Sequence, residues 1–195
     1  MKRTVDIIFS LIWIIILSPI YMILSLIIKI DSKGPVLFKQ KRIGLHGKPF
    51  YIYKFRTMHT DASIDLKITP ENDNRITQIG KYLRRYKLDE IPQLFNVIKG
   101  DMSLVGPRPE VPEYLCYYSD DFNRILNVKP GITDLASIKY RNESQLLANR
   151  ENVAEYYINT ILPDKMRMNF EYINKRSLYF DFLIIIKTIK SVFNG

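Results

Sequence analysis

From Ile7 to Ile28 the chain carries no charged residue. The run consists of Ile, Leu, Phe9, Trp13, Tyr21 and Met22, interrupted only by Ser10, Ser18, Pro19 and Ser25. A helix of this length can cross a hydrocarbon layer of about 30 Å. It is too long for a secretory signal, and no small-x-small cleavage site follows it. A single spanning helix is the plainest reading. Ser18-Pro19, near the middle, argues for another path. A mid-helix proline removes a hydrogen bond and clashes with the carbonyl four residues back. Ser18 can return its hydroxyl to a nearby carbonyl and make a bend tolerable in lipid. Divided there, Thr4–Ser18 measures roughly 22 Å and Pro19–Ile30 roughly 18 Å, and neither half crosses alone.

Charge placement points the same way. Lys2 and Arg3 precede the run, and Lys29, Lys33, Lys39, Lys41 and Arg42 follow it. Cations favour the cytoplasmic face, and a spanning helix strands one group on the wrong side. A re-entrant helix, entering and leaving by one face, keeps both groups where they belong. Residues 1–31 are therefore expected to form a re-entrant membrane helix broken at Ser18 and Pro19, and residues 32–195 a membrane-associated domain.

The whole chain has 195 residues, with 29 Lys and Arg against 20 Asp and Glu, a formal charge of +9. Apolar residues at 47% supply enough material for a core and exclude intrinsic disorder. A lone cysteine, Cys116, excludes a disulfide scaffold and reads as a core residue. The length excludes a large polytopic transporter.

After the apolar run, Val36-Leu37-Phe38 and Phe50–Phe55 read as short strands between turns at Gly34-Pro35 and Gly47-Lys48-Pro49. Residues 60–75, with Pro70 and Asn72-Asp73-Asn74, read as a surface loop. Ile76–Leu88 and Pro92–Lys99 have helical patterns, the second ended by Gly100. Met102–Val105 is extended. Val111–Asn127, Glu143–Thr160 and Lys165–Lys175 are expected to be helical. Leu178–Phe193 is an amphipathic helix that can pack on the core or lie in the membrane interface. The fold class is α+β, mostly helical, with short strands in a small catalytic domain.

Asp89-Glu90 is the densest candidate for chemistry. Pro92 suits a helix start and should push Ile91 out of helical geometry, leaving both acids just before a helix N-terminus. The bland reading is an acidic cap. The setting, two adjacent acids within a run of cations, suits divided labour. One carboxylate can attack phosphorus while the other binds Mg²⁺. In Gly106-Pro107-Arg108-Pro109, the two prolines restrict the backbone of Arg108, as bidentate phosphate recognition requires. A rigid turn with an exposed arginine is the alternative. Lys54 and Arg56 alternate along a strand and can line an anion pocket. His46 and His59 have no metal-ligand spacing, and no P-loop, dinucleotide or zinc motif occurs.

Lys54-Phe55-Arg56-Thr57-Met58, the block from Leu88-Asp89-Glu90-Ile91-Pro92 through Gly106-Pro107-Arg108-Pro109-Glu110, and Lys129-Pro130-Gly131-Ile132-Thr133 together resemble the bacterial monotopic phosphoglycosyl transferases. The resemblance covers nearly the whole chain, in the family's minimal form. It implies transfer of a phospho-sugar from a UDP-sugar to polyprenyl (undecaprenyl) phosphate with release of UMP, the first membrane step of glycan assembly. Asp89 would be the nucleophile that forms an aspartyl phospho-sugar intermediate, and Glu90 would hold Mg²⁺. Arg84 matches an active-site arginine. Arg108, between Pro107 and Pro109, and Arg141 match positions near phosphate or nucleotide. Ser18-Pro19 matches the break of a re-entrant helix. Many members continue after Gly131-Ile132-Thr133 with Gly and a Trp- or Leu-Ala-Gln segment. Here Asp134-Leu135-Ala136-Ser137 follows, which leaves the sugar pocket open.

The implied partners are the UDP-sugar, polyprenyl phosphate and anionic membrane lipids, with room for a homodimer. The implied location is the bacterial inner membrane, with the site facing the cytoplasm. A positive surface concentrates such anions. Nucleic-acid binding, the other use of a +9 charge, is disfavoured by the apolar run and the lack of a recognition motif. The competing class is a non-catalytic, membrane-anchored basic scaffold in which Asp89-Glu90 merely caps a helix.

Overall fold

The computed structural model describes residues 1–60, 73–117, 122–148, 150 and 152–193. The loop expected around Pro70 falls mostly outside them, and so does the side chain of Cys116. The elements are mostly helical, with two small two-stranded sheets.

Helix α1 (Lys2–Asp31) is helical throughout, Pro19 included. The two separate halves expected at Ser18-Pro19 are thus one element at the level of secondary structure. Ser18 explains how the proline is accommodated, since its hydroxyl donates to the Ile15 carbonyl at 2.8 Å. The helix is apolar, with hydropathy 2.6 over its best window. Few of its residues are buried, and those lie near its ends: Asp6, Ser10 and Ile28. Trp13, Ile15, Ile16 and Ile20, in the middle, are exposed.

Both ends of α1 are fastened to the rest of the protein. At the start, Arg3 donates to the carbonyls of Val97 and Ile98. Ser103 donates its hydroxyl to Asp6 at 2.8 Å. Lys2 donates to the Val105 carbonyl and to Asp181. Farther along, the Tyr21 hydroxyl donates to the Ile91 carbonyl at 2.7 Å. At the end, Ile28 packs with Phe55 and Leu83.

Strands β1 (Leu37–Ile43) and β2 (Pro49–Phe55) form an antiparallel hairpin in register Leu37↔Phe55 to Ile43↔Pro49. The first strand is longer than the three residues its sequence suggested. Helix α2 (Gln78–Arg85) begins at Thr77, whose hydroxyl accepts from Gly80 N. Helix α3 (Gln93–Lys99) ends at Gly100 in left-handed geometry (φ 97°). Strands β3 (Ser103–Val105) and β4 (Gly131–Thr133) pair in parallel. Immediately beyond β3, Gly106 meets Gly131 backbone to backbone. A Cβ on Gly131 would stand 2.1 Å from Gly106 N, so both positions need glycine.

The segment Val111–Asn127 is not one helix. It holds a 3₁₀ stretch (Pro112–Tyr117) and the short α4 (Phe122–Leu126). Nor is Glu143–Thr160 continuous. After α5 (Leu135–Lys139) and α6 (Glu143–Ala148), Asn152 caps a new helix, α7 (Val153–Tyr156), by accepting from Glu155 N. The chain then passes through a π-helical turn, Tyr157–Ile161, into α8 (Leu162–Lys175). Helix α9 (Leu178–Phe193) buries Asp181 and Ile184 and exposes Leu178, Tyr179, Phe182 and Ile189. It therefore packs on the core with Val105 and Tyr172 and also presents an apolar outer face.

Candidate active site

Helix α2 stops because Lys87 takes a left-handed conformation (φ 56°). A 3₁₀ turn, Leu88–Glu90, follows. Ile91 is right-handed helical (φ −53°, ψ −37°), so the break expected from Pro92 lies four residues earlier, at Lys87. Leu88 turns into the apolar cluster of Ile28, Phe55 and Leu83. That seats Asp89 and Glu90, both buried, at one edge of a cleft of about 2420 Å³.

The acids face side chains of distant segments, rather than capping α3. Lys54, near the end of β2, donates to Glu90 Oε1 at 2.8 Å and stands 4.0 Å from Asp89 Oδ2. Arg108 binds Glu90 with two nitrogens, Nη1 to Oε2 at 3.2 Å and Nη2 to Oε1. This is the bidentate fork its sequence context suggested, turned onto a carboxylate. Its backbone is pinned as well. Arg108 N donates to Asp134 Oδ2 at 3.1 Å, Gly131 N donates to the Pro107 carbonyl, and Arg42 donates to the Pro109 carbonyl. Arg84 lines the same cleft, its Nε donating to Thr57 Oγ1 at 2.9 Å. One oxygen stands apart: Asp89 Oδ1 is buried and has no hydrogen-bond partner among the described residues.

The two acids differ electrostatically. Burial drives the Asp89 carboxyl above its ordinary value, and Lys54, Lys87 and Arg84 bring it only part of the way back. Burial acts on Glu90 in the same sense, but Arg108 and Lys54 outweigh it and hold that carboxyl well below the usual range. Burial lowers Lys54 and Arg84, whereas the Glu90 charge raises Arg108. The cluster thus pairs a fixed anion with a carboxylate that burial makes the more basic of the two.

Two expected binding residues are placed differently. Arg56 is buried and committed to the end of α1. It donates to the carbonyls of Ile28, Ser32 and Lys33 and to the Ser32 hydroxyl. It caps the C-terminal end of α1, and it also borders the cleft. Arg141 borders the cleft, with Nη2 fastened to the Val192 carbonyl at the end of α9. Thr57 and Asp134 were missed by sequence reasoning. Asp134 accepts from Ser137 N as the cap of α5, and Asp ahead of Leu-Ala-Ser is a readable cap signal. Thr57 lies in the Lys54–Met58 segment that carries the resemblance, but its hydroxyl gives no local signal of a bond to Arg84.

The two adjacent carboxylates carry hard oxygens of the kind a divalent cation takes, but both Glu90 oxygens are engaged by Lys54 and Arg108, and the oxygen without a partner among the described residues belongs to Asp89. Among the described residues no cluster of three or more His, Cys, Asp or Glu exists, so substrate oxygens and water would complete the coordination, as Mg²⁺ usually requires.

Residues 1–195 match the family described as bacterial sugar transferase. The chain is 39% identical over 199 residues to the undecaprenyl-phosphate glucose phosphotransferase of Komagataeibacter xylinus, covering 97% of this chain and 35% of that protein. It is 35% identical over 195 residues to the UDP-glucose:undecaprenyl-phosphate glucose-1-phosphate transferase of Caulobacter vibrioides, covering 98% and 69%. It is also 35% identical over 202 residues to the UDP-N-acetylgalactosamine-undecaprenyl-phosphate N-acetylgalactosaminephosphotransferase of Aeromonas hydrophila, covering 100% and 44%. The chain spans less than half the length of the first and third of these relatives.

Proposed function

Because this chain belongs to the bacterial sugar transferase family, we propose that it transfers a phospho-sugar from a UDP-sugar to polyprenyl phosphate, giving polyprenyl-diphosphate-sugar and UMP. The observation that carries the reading is the buried Asp89 carboxylate, whose Oδ1 has no hydrogen-bond partner among the described residues, in a cleft lined by Lys54, Arg84 and Arg108.

In the proposed first step a carboxylate oxygen of Asp89 attacks the β-phosphorus of the donor. A bond forms between that oxygen and phosphorus, and the bond from phosphorus to the bridging oxygen breaks. UMP departs with that oxygen and its electron pair, leaving a phospho-sugar on Asp89. In the second step a phosphate oxygen of the acceptor attacks the same phosphorus and releases the carboxylate. Lys54, Arg84 and Arg108 bind and orient the phosphates and stabilise the charge that develops on their oxygens. The bidentate hold of Arg108 on Glu90 keeps that guanidinium aimed into the cleft. Glu90 would hold Mg²⁺, whose chemistry when bound is neutralisation of the diphosphate charge.

A re-entrant placement of α1 is part of the proposal. Lys2, Arg3 and Asp6 at one end, and Ile28 and Ser32 at the other, contact the same domain. These contacts support a helix that enters and leaves by the same face. Its exposed middle, around Trp13 and Ile16, is the part available to lipid. The cleft would then open at headgroup height on the cytoplasmic face, where both flanking cation groups are favoured.

The test is UMP release by detergent-solubilised full-length protein, given Mg²⁺, polyprenyl phosphate and a panel of UDP-sugars. Release is expected with at least one sugar and is abolished in Asp89→Asn. Intact-mass measurement with UDP-sugar alone should show a phospho-sugar adduct that maps to Asp89. An adduct that persists in Asp89→Asn removes the assignment, and silence with every UDP-sugar removes the reaction.

A further inference from the structure

The cleft has two walls of opposite character. One is apolar and includes Phe9 and Trp13 of α1 and Phe182 and Ile189 of α9. The other is polar and begins two residues beyond Arg108, at Glu110. On this polar side the Tyr157 hydroxyl donates to Glu110 Oε1 at 3.4 Å. Lys165 Nζ pairs with Glu143 Oε2 at 2.6 Å, contacts the Tyr157 hydroxyl at 3.5 Å, and lies over the rings of Tyr157 (4.9 Å) and Tyr140 (5.8 Å). Tyr157 opens the π-helical turn between α7 and α8. Such single turns recur at functional sites, because the extra residue re-aims the helix face.

We propose that this wall, formed by Glu110, Tyr140, Glu143, Tyr157 and Lys165, receives the sugar of the UDP-sugar donor, and that Glu143 and Tyr157 determine which sugar is accepted. The inference rests on the reaction proposed above.

Charge argues for a neutral, hydroxyl-rich occupant. The phosphates already have Lys54, Arg84 and Arg108, whereas Glu110 and Glu143 would repel them, and the charge of Lys165 is met by Glu143. Carboxylate oxygens accept from hydroxyls, a phenol donates or accepts, and an ammonium donates. Ring faces offer an apolar surface to the C–H face of a pyranose. Connectivity argues for the sugar over the uridine. The sugar is bonded through one oxygen to the phosphorus that Asp89 attacks, while uracil lies beyond a second phosphate and a ribose. Arg108, which holds Glu90 beside Asp89, also feels the charge of Glu143, so this wall adjoins the reacting phosphorus and meets the sugar. Two of the relatives bear names with different sugars, glucose and N-acetylgalactosamine, so membership of the family leaves the choice to residues such as these.

The experiment compares full-length wild type with Glu143→Gln and Tyr157→Phe. For each protein, kcat/KM is measured by UMP release with UDP-glucose, UDP-galactose, UDP-N-acetylglucosamine and UDP-N-acetylgalactosamine, together with inhibition by UMP. Losing a hydrogen bond to one hydroxyl should change the ratio of kcat/KM between epimeric sugars by about tenfold or more, with UMP inhibition held within about twofold. A uniform fall for all four sugars overturns the proposal. So does a weakening of UMP inhibition in step with the loss, which would assign the wall to the nucleotide. Melting by circular dichroism verifies the fold. Should Glu143→Gln fail to fold, Tyr157→Phe, which removes a single oxygen, decides the matter on the same criterion. Wild-type protein that releases no UMP from any UDP-sugar overturns the underlying reaction, a result distinct from the others.

Discussion

Lys54 donates to Glu90 Oε1 at 2.8 Å across 36 residues of chain, and the same ammonium stands 4.0 Å from Asp89 Oδ2. It therefore helps hold Glu90 ionised while only partly offsetting the burial that raises Asp89. In the proposed reaction Asp89 must be ionised to attack, so the acid limb of the kcat/KM profile should lie above the ordinary aspartate value of about 3.9. Burial lowers Lys54, which places the alkaline limb below the ordinary lysine value of about 10.4. Lys54→Arg should move the alkaline limb upward and leave the acid limb nearly in place. A pH–rate profile checks both, and an acid limb at or below the usual carboxylate range contradicts the assignment of Asp89.

The same burial has a consequence for stability. A carboxyl raised in the folded state holds its proton better folded than unfolded. Its contribution is fully present below the unfolded value of about 3.9 and is lost as pH rises through the raised folded value. Asparagine at this position carries no such dependence. The melting temperature of Asp89→Asn relative to wild type should therefore climb as pH is raised from about 4 to 8. Parallel melting curves over that range would mean that Asp89 is not destabilised by ionisation.

Arg56 should behave as a structural clasp. Its guanidinium is buried and donates to three carbonyls and one hydroxyl at the end of α1. Arg56→Lys cannot reproduce that fork, and the unpartnered carbonyls should cost about 1–3 kcal/mol. The expected signature is a lower melting temperature and faster tryptic cleavage near Lys33, with KM for the UDP-sugar unchanged. A raised KM at an unchanged melting temperature would return Arg56 to the binding site.

The contrast between Lys54 and Arg56 shows what the sequence can and cannot convey. Alternation identified the β2 strand and placed the two cations in sequence, but their partners lie in the 3₁₀ turn Leu88–Glu90 and at the end of α1, tens of residues away. Asp89, Glu90 and Arg108 were legible as candidates from the proline-punctuated blocks that hold them, although the break expected at Ile91 falls at Lys87. Thr57 and Asp134 were not, since each acts as an acceptor for a group 27 or 26 residues away. The helix α9 was legible from its spacing. Glu143–Thr160 failed because a local cap, Asn152, starts a new helix within it; Val111–Asn127 holds a 3₁₀ stretch where a helix was expected.

Gly131 tests the link between the small parallel sheet and the site. Its Cα side faces Gly106 so closely that a Cβ would lie 2.1 Å from Gly106 N and 2.4 Å from Gly106 O. The displaced atoms belong to backbone, which cannot rotate away, and Gly106 leads directly into Pro107-Arg108-Pro109. Gly131→Ala should cost about 1–3 kcal/mol. It should also reduce UMP release more than its loss of folded protein explains, because Arg108 shifts from Glu90. Activity that tracks the folded fraction alone would uncouple the sheet from the turn.

The placement of α1 yields a prediction independent of catalysis. A straight helix of 30 residues is roughly 45 Å long at 1.5 Å per residue, enough to cross a bilayer. Crossing would put Lys2, Arg3 and Asp6 on the far side from Ser32 and Lys33. Yet Asp6 accepts from Ser103, and Lys2 reaches Asp181, on the domain that also holds Ser32 through Arg56. On the re-entrant placement proposed above, both termini of the helix lie on the domain's side of the membrane. Cysteines introduced at Thr4 and at Lys33 in a Cys116→Ser background should react with a membrane-impermeant maleimide from the same side of sealed vesicles, while one at Ile16 stays protected. Labelling of Thr4 and Lys33 from opposite sides would show a spanning helix, and the contacts of Lys2 and Asp6 with the domain would have to be abandoned with it.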